Sequence, residues 1–162
     1  MKYREECNDV FNYYDEGYYL CQCLSADLVA GAGIAVLFNK KLDMKNKLLK
    51  RYPNGVYLNN GAFVPSCIYE SNVFNLITKN KVWEKPTYET LKLSLDTMVL
   101  QLLLLKSKNI NIDKIAMPLI GCGIDGLEWK KVREIVKESF KNTDIEIVVC
   151  FLEKDRNKVE VN

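Results

Sequence analysis

The sequence contains no histidine among its 162 residues, and this absence narrows the chemistry that the protein can perform. Catalytic sites of the Ser-His-Asp and Cys-His kinds need an imidazole, so both are excluded in their usual form. Zinc sites built on cysteine and histidine spacing are not expected either, because none of the six cysteines forms a CxxC pair. We therefore expect no metal and no cofactor, and acid–base or nucleophilic work falls to Asp, Glu, Lys, Tyr, Cys or Ser.

The sequence also lacks long apolar segments. No apolar run reaches the roughly 20 residues that a membrane span needs, and the stretch from Met1 to Glu6 lacks the apolar core of a signal peptide. Three cysteines, Cys21, Cys67 and Cys150, lie in short apolar runs, where a reduced cysteine behaves as a small hydrophobic residue. We therefore expect a cytoplasmic monomer with reduced cysteines and no membrane contact.

Charge of one sign is not in excess, since 23 basic and 21 acidic residues leave a net charge of +2. A nucleic-acid-binding domain is usually strongly basic. The densest basic stretch runs from Lys40 to Arg51, and its pattern favours the solvated face of a helix, with a nucleic-acid patch as the alternative. The length fits a single domain over residues 1–162 with a core from about 9 to 152, followed by a charged tail, 153–162, that we expect to fray.

The hydrophobic periodicity predicts alternating strands and helices in the second half of the chain. Together with a hairpin in the middle, this alternation predicts a three-layer α/β/α domain with a mixed sheet. The predicted strands are Tyr18 to Leu24, Val73 to Thr78, Ile112 to Met117 and Ile145 to Leu152. The predicted helices are Ile34 to Tyr52, Thr87 to Lys106 with Thr87 as N-cap, and Leu127 to Phe140. The predicted hairpin joins Val56 to Leu58 with Phe63 to Tyr69 through an Asn59-Asn60-Gly61 turn.

Two glycine-rich loops each follow a predicted strand and precede a predicted helix. One runs from Ser25 to Gly33, and the other, from Pro118 to Gly126, has the sequence PLIGCGIDG. Loops of this kind expose backbone amides to an anion, and in open α/β sheets ligands bind beyond the carboxyl ends of the strands. Lys79 follows another strand and Asp125 lies within the second loop, so all of these groups are expected at one edge. Neither loop has the GxxxxGK[ST] or GxGxxG pattern.

Each of these residues also has a purely structural interpretation. Gly31 and Gly33 fit turn and helix-packing positions, and Asp125 fits the N-cap of the following helix. Lys79 could be one of the many solvated lysines. Cys122 lies between two glycines as a nucleophile would, but without a histidine its thiolate fraction would be small.

Five blocks of sequence, taken together and in order, resemble macrodomains of the terminal ADP-ribose protein glycohydrolase type, the class also called ALC-like. The resemblance extends from about Asp9 to Leu152, nearly the whole chain. It implies the macrodomain fold, a three-layer α/β/α domain with a mixed, roughly six-stranded sheet. The blocks are Ser25 to Asp27, Gly31 to Phe38, Leu76 to Lys79, Lys85 to Glu89 and Pro118 to Asp125.

The resemblance implies that ADP-ribose binds along the two loops, which hold its diphosphate and distal ribose. Ser25 would lie at the distal ribose, while Asp9 and Leu152 would flank the adenine. The sequence departs from the family at Asn8, where glycine is usual, and at Cys150, where an aromatic residue is usual. The implied ligand residues are Asp9, Val10, Ser25, Gly31, Ala32, Gly33, Ile34, Pro118, Ile120, Gly121, Cys122, Gly123, Ile124 and Leu152.

The same resemblance implies that Lys79 and Asp125 are catalytic. A lysine amine can attack the C1″ aldehyde of ring-opened ribose and form an imine-derived adduct. A carboxylate can then act as acid and base while the adduct is resolved. The amine must be partly neutral for this step, which desolvation favours and a neighbouring carboxylate opposes.

The leading hypothesis is therefore a hydrolase that removes ADP-ribose from an acceptor. The acceptors considered are ADP-ribosylated protein, through Glu or Asp esters, O-acetyl-ADP-ribose, and ADP-ribosylated nucleobases in nucleic acid. A second hypothesis is a non-catalytic ADP-ribose reader, in which Lys79 and Asp125 would have no purpose. A third is a nucleotide-phosphate hydrolase with Asp125 on a metal, which the lack of a carboxylate cluster around the loops disfavours.

Overall fold

A computed structural model describes residues 1–160 and arranges them as one six-stranded sheet with helices on both faces. The strands are β1 (Lys2–Cys7), β2 (Tyr19–Ser25), β3 (Ser66–Glu70), β4 (Val73–Lys79), β5 (Lys114–Met117) and β6 (Glu146–Phe151). The helices are α1 (Val10–Asp15), α2 (Ile34–Leu42), α3 (Met44–Arg51), α4 (Tyr88–Ser107), α5 (Trp129–Phe140) and α6 (Arg156–Val159), and a 3-10 turn spans Glu153–Asp155.

The strand order across the sheet is β1-β6-β5-β2-β4-β3. Five strands are parallel, and β3 alone runs antiparallel, against β4. The predicted fold class, three α/β/α layers with a mixed six-stranded sheet, is confirmed. The parallel strands bring their carboxyl ends to one edge, which is where ligands bind in such sheets.

Two hydrophobic cores lie on opposite faces of the sheet. One is formed with α4, α5 and α6, and the other with α1, α2 and α3. Strand β6 supplies both, since Ile147 and Val149 face the first core while Val148 and Cys150 face the second. A strand buried on both faces has no polar side, which explains its continuous apolar sequence.

Helix α4 begins and ends almost where its sequence pattern predicts. Thr87 is the N-cap, and its hydroxyl accepts a hydrogen bond from the Thr90 amide at 3.0 Å. The Thr90 hydroxyl in turn accepts from the Thr87 amide, which completes a capping box. Leu91, Leu95 and Met98 are fully buried beneath this helix, as their spacing indicates.

Two predicted elements have different boundaries in the structure. The helix predicted over Ile34 to Tyr52 is two helices, because Asp43 adopts a left-handed conformation (φ 53°) between α2 and α3. The predicted hairpin at Asn59-Asn60-Gly61 is wrong, since residues 56–65 contain no strand. The hairpin is β3–β4, joined by Ser71 and Asn72, both with positive φ, as a tight two-residue hairpin turn requires.

The fold extends beyond the predicted core at both ends. Strand β1 was not predicted, because its charged sequence lies at a sheet edge and alternates only weakly. The tail was expected to fray, yet it forms the 3-10 turn and α6, which ends at Val159. Val159 is buried, and its carbonyl accepts a hydrogen bond from Arg133 at 2.8 Å. The last two residues of the predicted tail, 161–162, lie outside the described residues.

Within residues 1–160, no helix combines the length and the apolar character needed to cross a membrane.

Candidate active site

A cavity of about 700 Å³ opens at the edge where the parallel strands end. Ser25 and Lys79, the last residues of β2 and β4, both line it. The segments that follow β5 and β6 complete its walls. This is the position expected for a ligand site in an open α/β sheet.

The residues that the sequence assigned to ADP-ribose and to catalysis all line this cavity. The structure thus brings together side chains and loops from five separate parts of the chain, and their individual roles in binding stay predictions. They are Asp9, Val10, Ser25, Gly31, Ala32, Gly33, Ile34, Lys79, Pro118, Ile120, Gly121, Cys122, Gly123, Ile124, Asp125 and Leu152.

The first glycine loop presents unpaired backbone amides to the cavity. Within residues 1–160, the amides of Gly31, Ala32, Gly33 and Ile34 donate to no protein acceptor. Gly33 has φ 64° and is the N-cap of α2, so the positive end of that helix points toward the same space. This arrangement favours an anionic group at the loop.

The carboxylate of Asp27 fixes the conformation of the first loop through three hydrogen bonds. It accepts hydrogen bonds from the Ser25 hydroxyl at 2.5 Å, the Val82 amide at 2.9 Å and the Val29 amide at 3.3 Å. Burial raises the pKa of Asp27, but these hydrogen bonds outweigh it and leave the pKa below its usual value. Asp27 is not among the site residues predicted from the sequence, and in the structure it links the first loop to the segment after β4.

The second glycine loop is a succession of tight turns. Gly121 has φ 71°, and a Cβ there would lie 3.0 Å from the Leu127 side chain, so this position requires glycine. The Gly121 carbonyl accepts from the Leu127 amide at 2.9 Å. The amides of Gly123 and Ile124 have no partner within the described part of the chain, as in the first loop.

Lys79 and Asp125 form an ion pair at one end of the cavity. The distance from Lys79 Nζ to Asp125 Oδ1 is 2.7 Å, and the two side chains are only 10% and 15% exposed. Asp125 is not a helix cap, because α5 begins at Trp129 with Glu128 as its N-cap. The segment that carries Asp125 is fixed by Lys85, whose ammonium donates to the Ile124 carbonyl.

The cysteines of the cavity are not activated nucleophiles. Burial raises the pKa of Cys122 to about 12, and burial likewise raises the pKa of Cys150 to about 12. Cys23, which also lines the cavity, has its pKa raised by burial, with the negative charge of Asp125 adding to the effect. A thiol with such a pKa carries almost no thiolate at neutral pH.

The opposite end of the cavity is more apolar. Asp9 is the N-cap of α1 and accepts the Phe11 amide through Oδ1 at 2.9 Å, while its Oδ2 has no partner within residues 1–160. Phe11 and Phe151 line this end, with Leu152 about half exposed beside them. Cys150 is buried there, at the position where the resemblance expects an aromatic residue.

Three charged residues of the cavity wall are not among those predicted from the sequence. Lys154, Asp155 and Lys158 come from the C-terminal segment that was predicted to fray. The buried Val159 beside them was the available signal for an ordered segment, since an apolar residue in a charged run can anchor it to a core. Within residues 1–160, no group of three or more His, Cys, Asp or Glu side chains could hold a metal ion.

The chain is similar to known proteins in sequence and in fold. It is 39% identical to ADP-ribose glycohydrolase OARD1 of Bos taurus over 137 residues, which cover 82% of this chain and 81% of the bovine protein. No protein-family model matches the chain.

Solved structures share the fold at lower identity. The macrodomain of Thermus aquaticus DarG has a TM-score of 0.69 at 20% identity, covering 92% of this chain and 97% of that one. Thermosipho africanus DarTG in complex with ADP-ribose has a TM-score of 0.68 at 15% identity, covering 95% of this chain and 42% of that one.

Proposed function

This chain belongs to the macrodomain family of ADP-ribose glycohydrolases, and we propose that it releases ADP-ribose from a modified acceptor through a covalent bond to Lys79. The observation that carries the proposal is the Lys79–Asp125 ion pair, 2.7 Å long and enclosed at one end of the cavity. A reader of ADP-ribose needs the cavity but has no use for a buried amine beside a carboxylate.

The charges of the cavity support one orientation of ADP-ribose. The diphosphate lies against the free amides of the two glycine loops, where an anion is favoured. The adenine lies at the apolar end near Phe151 and Leu152, with Asp9 Oδ2 available to accept from its amino group. The distal ribose then reaches Lys79 and Asp125, at a distance from the phosphates that Asp125 would repel.

The proposed reaction has two steps, formation of the Lys79 adduct and its hydrolysis. Asp125 takes a proton from Lys79, whose amine attacks C1″ of the distal ribose, and the bond from C1″ to the acceptor breaks with its electron pair leaving on the acceptor. Asp125 passes its proton to the acceptor. The bond from C1″ to the ring oxygen then breaks with its electron pair leaving on that oxygen, which takes a proton from the Lys79 nitrogen, and a protonated imine forms between C1″ and Lys79. Water then adds to C1″, the carbon–nitrogen bond breaks with its electrons returning to Lys79, and Asp125 transfers the protons.

The surface next to the reacting end supports a nucleobase as one acceptor. Val82 lines the cavity, and Trp83, the next residue, is 74% exposed. Lys81 and Lys85 flank this tryptophan and supply positive charge. An exposed aromatic ring beside cations is a platform on which bases of single-stranded nucleic acid stack. Ester-linked ADP-ribose on protein and O-acetyl-ADP-ribose are the other acceptors considered.

Substitution of Lys79 tests the covalent mechanism. We expect Lys79→Ala to lower the release of ADP-ribose by at least about a hundredfold, because the attacking atom is lost. Lys79→Arg should be equally inactive, since a guanidinium keeps the positive charge but stays protonated. Both variants should still bind ADP-ribose in a calorimetric titration. Lys108→Ala is the matched control, because this lysine is exposed and does not line the cavity. Normal turnover by either Lys79 variant would refute the mechanism.

The acceptor is identified by offering two substrates to the same enzyme. We expect release from an ADP-ribosylated single-stranded oligonucleotide and from an ADP-ribosylated glutamyl peptide to respond differently to Trp83→Ala. Loss of base stacking should lower the oligonucleotide reaction about tenfold, at roughly 1–3 kcal/mol for a stacked base, and leave the peptide reaction unchanged. An equal effect on both substrates, or none on either, would contradict a role for Trp83 in acceptor binding. Release from neither substrate, with ADP-ribose still bound, would instead favour the reader.

We propose in addition that the protein lies in the cytoplasm, which its six free cysteines support, and that it acts as a monomer.

A further inference from the structure

The lysines of the C-terminal segment are the cations of the cavity wall that lie outside the Lys79–Asp125 pair. The cationic side chains that line it within residues 1–160 are Lys79, Lys154 and Lys158, and the carboxylates are Asp9, Asp125 and Asp155. These formal charges cancel, although a diphosphate brings two negative charges. Lys79 is also held by Asp125 at the reacting end. Besides the backbone amides of the two loops, positive charge for the diphosphate is therefore available from Lys154 and from Lys158, whose charge Asp155 partly offsets.

Lys158 lies directly against the second glycine loop. Its Nζ donates to the Cys122 carbonyl at 3.2 Å and forms an ion pair with Asp155 at 3.1 Å. An ammonium has three donors, so one remains for a ligand at the loop. Lys154 forms no ion pair or hydrogen bond within residues 1–160 and keeps all three.

The segment that carries these lysines is packed against the rest of the fold. Val159 is 8% exposed in the core beside α5, and Arg133 donates to its carbonyl at 2.8 Å. Arg156 bonds both oxygens of Glu153 at 2.8 Å and lies over the Phe151 ring. The segment thus holds two lysines at the cavity with little freedom to move away.

We propose that residues 153–159 form a third wall of the ligand site, and that Lys154 and Lys158 bind the diphosphate of ADP-ribose opposite the amides of the glycine loops. This inference rests on the proposed function for the identity of the ligand. It adds two side-chain cations to a site otherwise built from backbone groups, and it makes affinity depend on salt, because cation–phosphate contacts are screened.

Point substitutions test the wall, since truncation would also remove the buried Val159. We compare Lys154→Gln/Lys158→Gln with Lys2→Gln/Lys108→Gln, which changes the net charge equally at exposed sites outside the cavity. Calorimetry with ADP-ribose, ADP and adenosine is run at low and high NaCl. We expect the cavity variant to bind ADP-ribose and ADP about tenfold more weakly at low salt, as two partly exposed charged contacts would give.

Three further readouts separate ligand contact from mere support of the loop. Adenosine, which has no phosphate, should bind the cavity variant and the control equally. The affinity of the cavity variant for ADP-ribose should depend less on salt than that of the control. Lys154→Arg/Lys158→Arg should keep most of the wild-type affinity, because the charges remain.

Two outcomes separate this inference from the proposed function. The inference is overturned if wild type binds ADP-ribose and the cavity variant binds it as tightly as the control, or if adenosine binding falls equally. A wild-type protein that binds no ADP-ribose refutes the proposed function itself, and the inference with it.

Discussion

The two least exposed ion pairs within residues 1–160 differ in how many hydrogen bonds their charged atoms make. In the first, Arg133 Nε and Nη2 bind the two oxygens of Glu5 at 2.6 and 2.8 Å. The same carboxylate accepts from Trp129 Nε1 at 3.0 Å and from the Tyr3 hydroxyl at 2.5 Å. This pair ties β1 to α5, and neither oxygen is left without a partner.

The second pair, Lys79 and Asp125, is held by one hydrogen bond. Within the described residues, Lys79 Nζ has no other acceptor and Asp125 Oδ2 has no donor. Both face a cavity that water can enter. Low exposure alone therefore does not distinguish the pair that we propose as catalytic from the pair that joins β1 to α5. The distinguishing feature is unused bonding capacity directed into a cavity.

Removal of the cation from each pair should give the largest difference between the two pairs, measured as a change in the free energy of unfolding. We expect Arg133→Met to lower the free energy of unfolding by about 3 kcal/mol, because Glu5 is left as a largely buried carboxylate without its cation. Lys79→Met should lower it by less than about 1 kcal/mol, since water in the cavity can solvate Asp125. Urea unfolding followed by circular dichroism measures both.

When the release of ADP-ribose is measured instead of stability, the same two variants should show the opposite order of effects. The folded fraction of Arg133→Met should still turn over substrate, with weaker binding because Arg133 also holds the Val159 carbonyl, while Lys79→Met should have no activity. A Lys79→Met protein as unstable as Arg133→Met would show that the cavity pair is structural.

A change of pH should have a smaller effect on the free energy of unfolding, through the carboxylate of Glu5. Burial raises the pKa of Glu5, but hydrogen bonds from Arg133, Tyr3 and Trp129 outweigh it and hold the pKa below the usual 4.5. A depressed carboxyl pKa stabilises the fold above the unfolded-state pKa, and that stability is lost as pH falls through the folded-state pKa. The stability difference between wild type and Glu5→Gln should therefore be constant near neutrality and shrink below about pH 4.5. A difference independent of pH would contradict this role for Glu5.

The glycine loops could be predicted because their signals are local. A strand, a glycine turn and a helix succeed one another within a short stretch, and each loop keeps that order in the structure. Lys79 and Asp125 are 46 residues apart in sequence, and no periodicity links them. Their pairing was predicted through the resemblance, and the 2.7 Å contact is what the structure adds.

The structural pair and the third wall could not be predicted, because their partners are distant and their residue types are ambiguous. Glu5 and Arg133 are 128 residues apart, and each lies in a charged stretch that suggests solvent exposure. Lys158 reaches the Cys122 carbonyl only because Val159 enters the core. A single buried valine in a charged run is too weak a signal to predict the ordered segment 153–159 from the sequence.

The central claim is that Lys79 forms a bond to the distal ribose, and reductive trapping tests it most directly. Wild-type protein is mixed with an ADP-ribosylated substrate and sodium cyanoborohydride, which reduces an imine to a stable amine, and is then digested for mass spectrometry. We predict ADP-ribose attached at Lys79, no trapped product on Lys79→Arg, and progressive loss of turnover as the adduct accumulates. Active wild-type protein that carries no adduct at Lys79 would contradict the account.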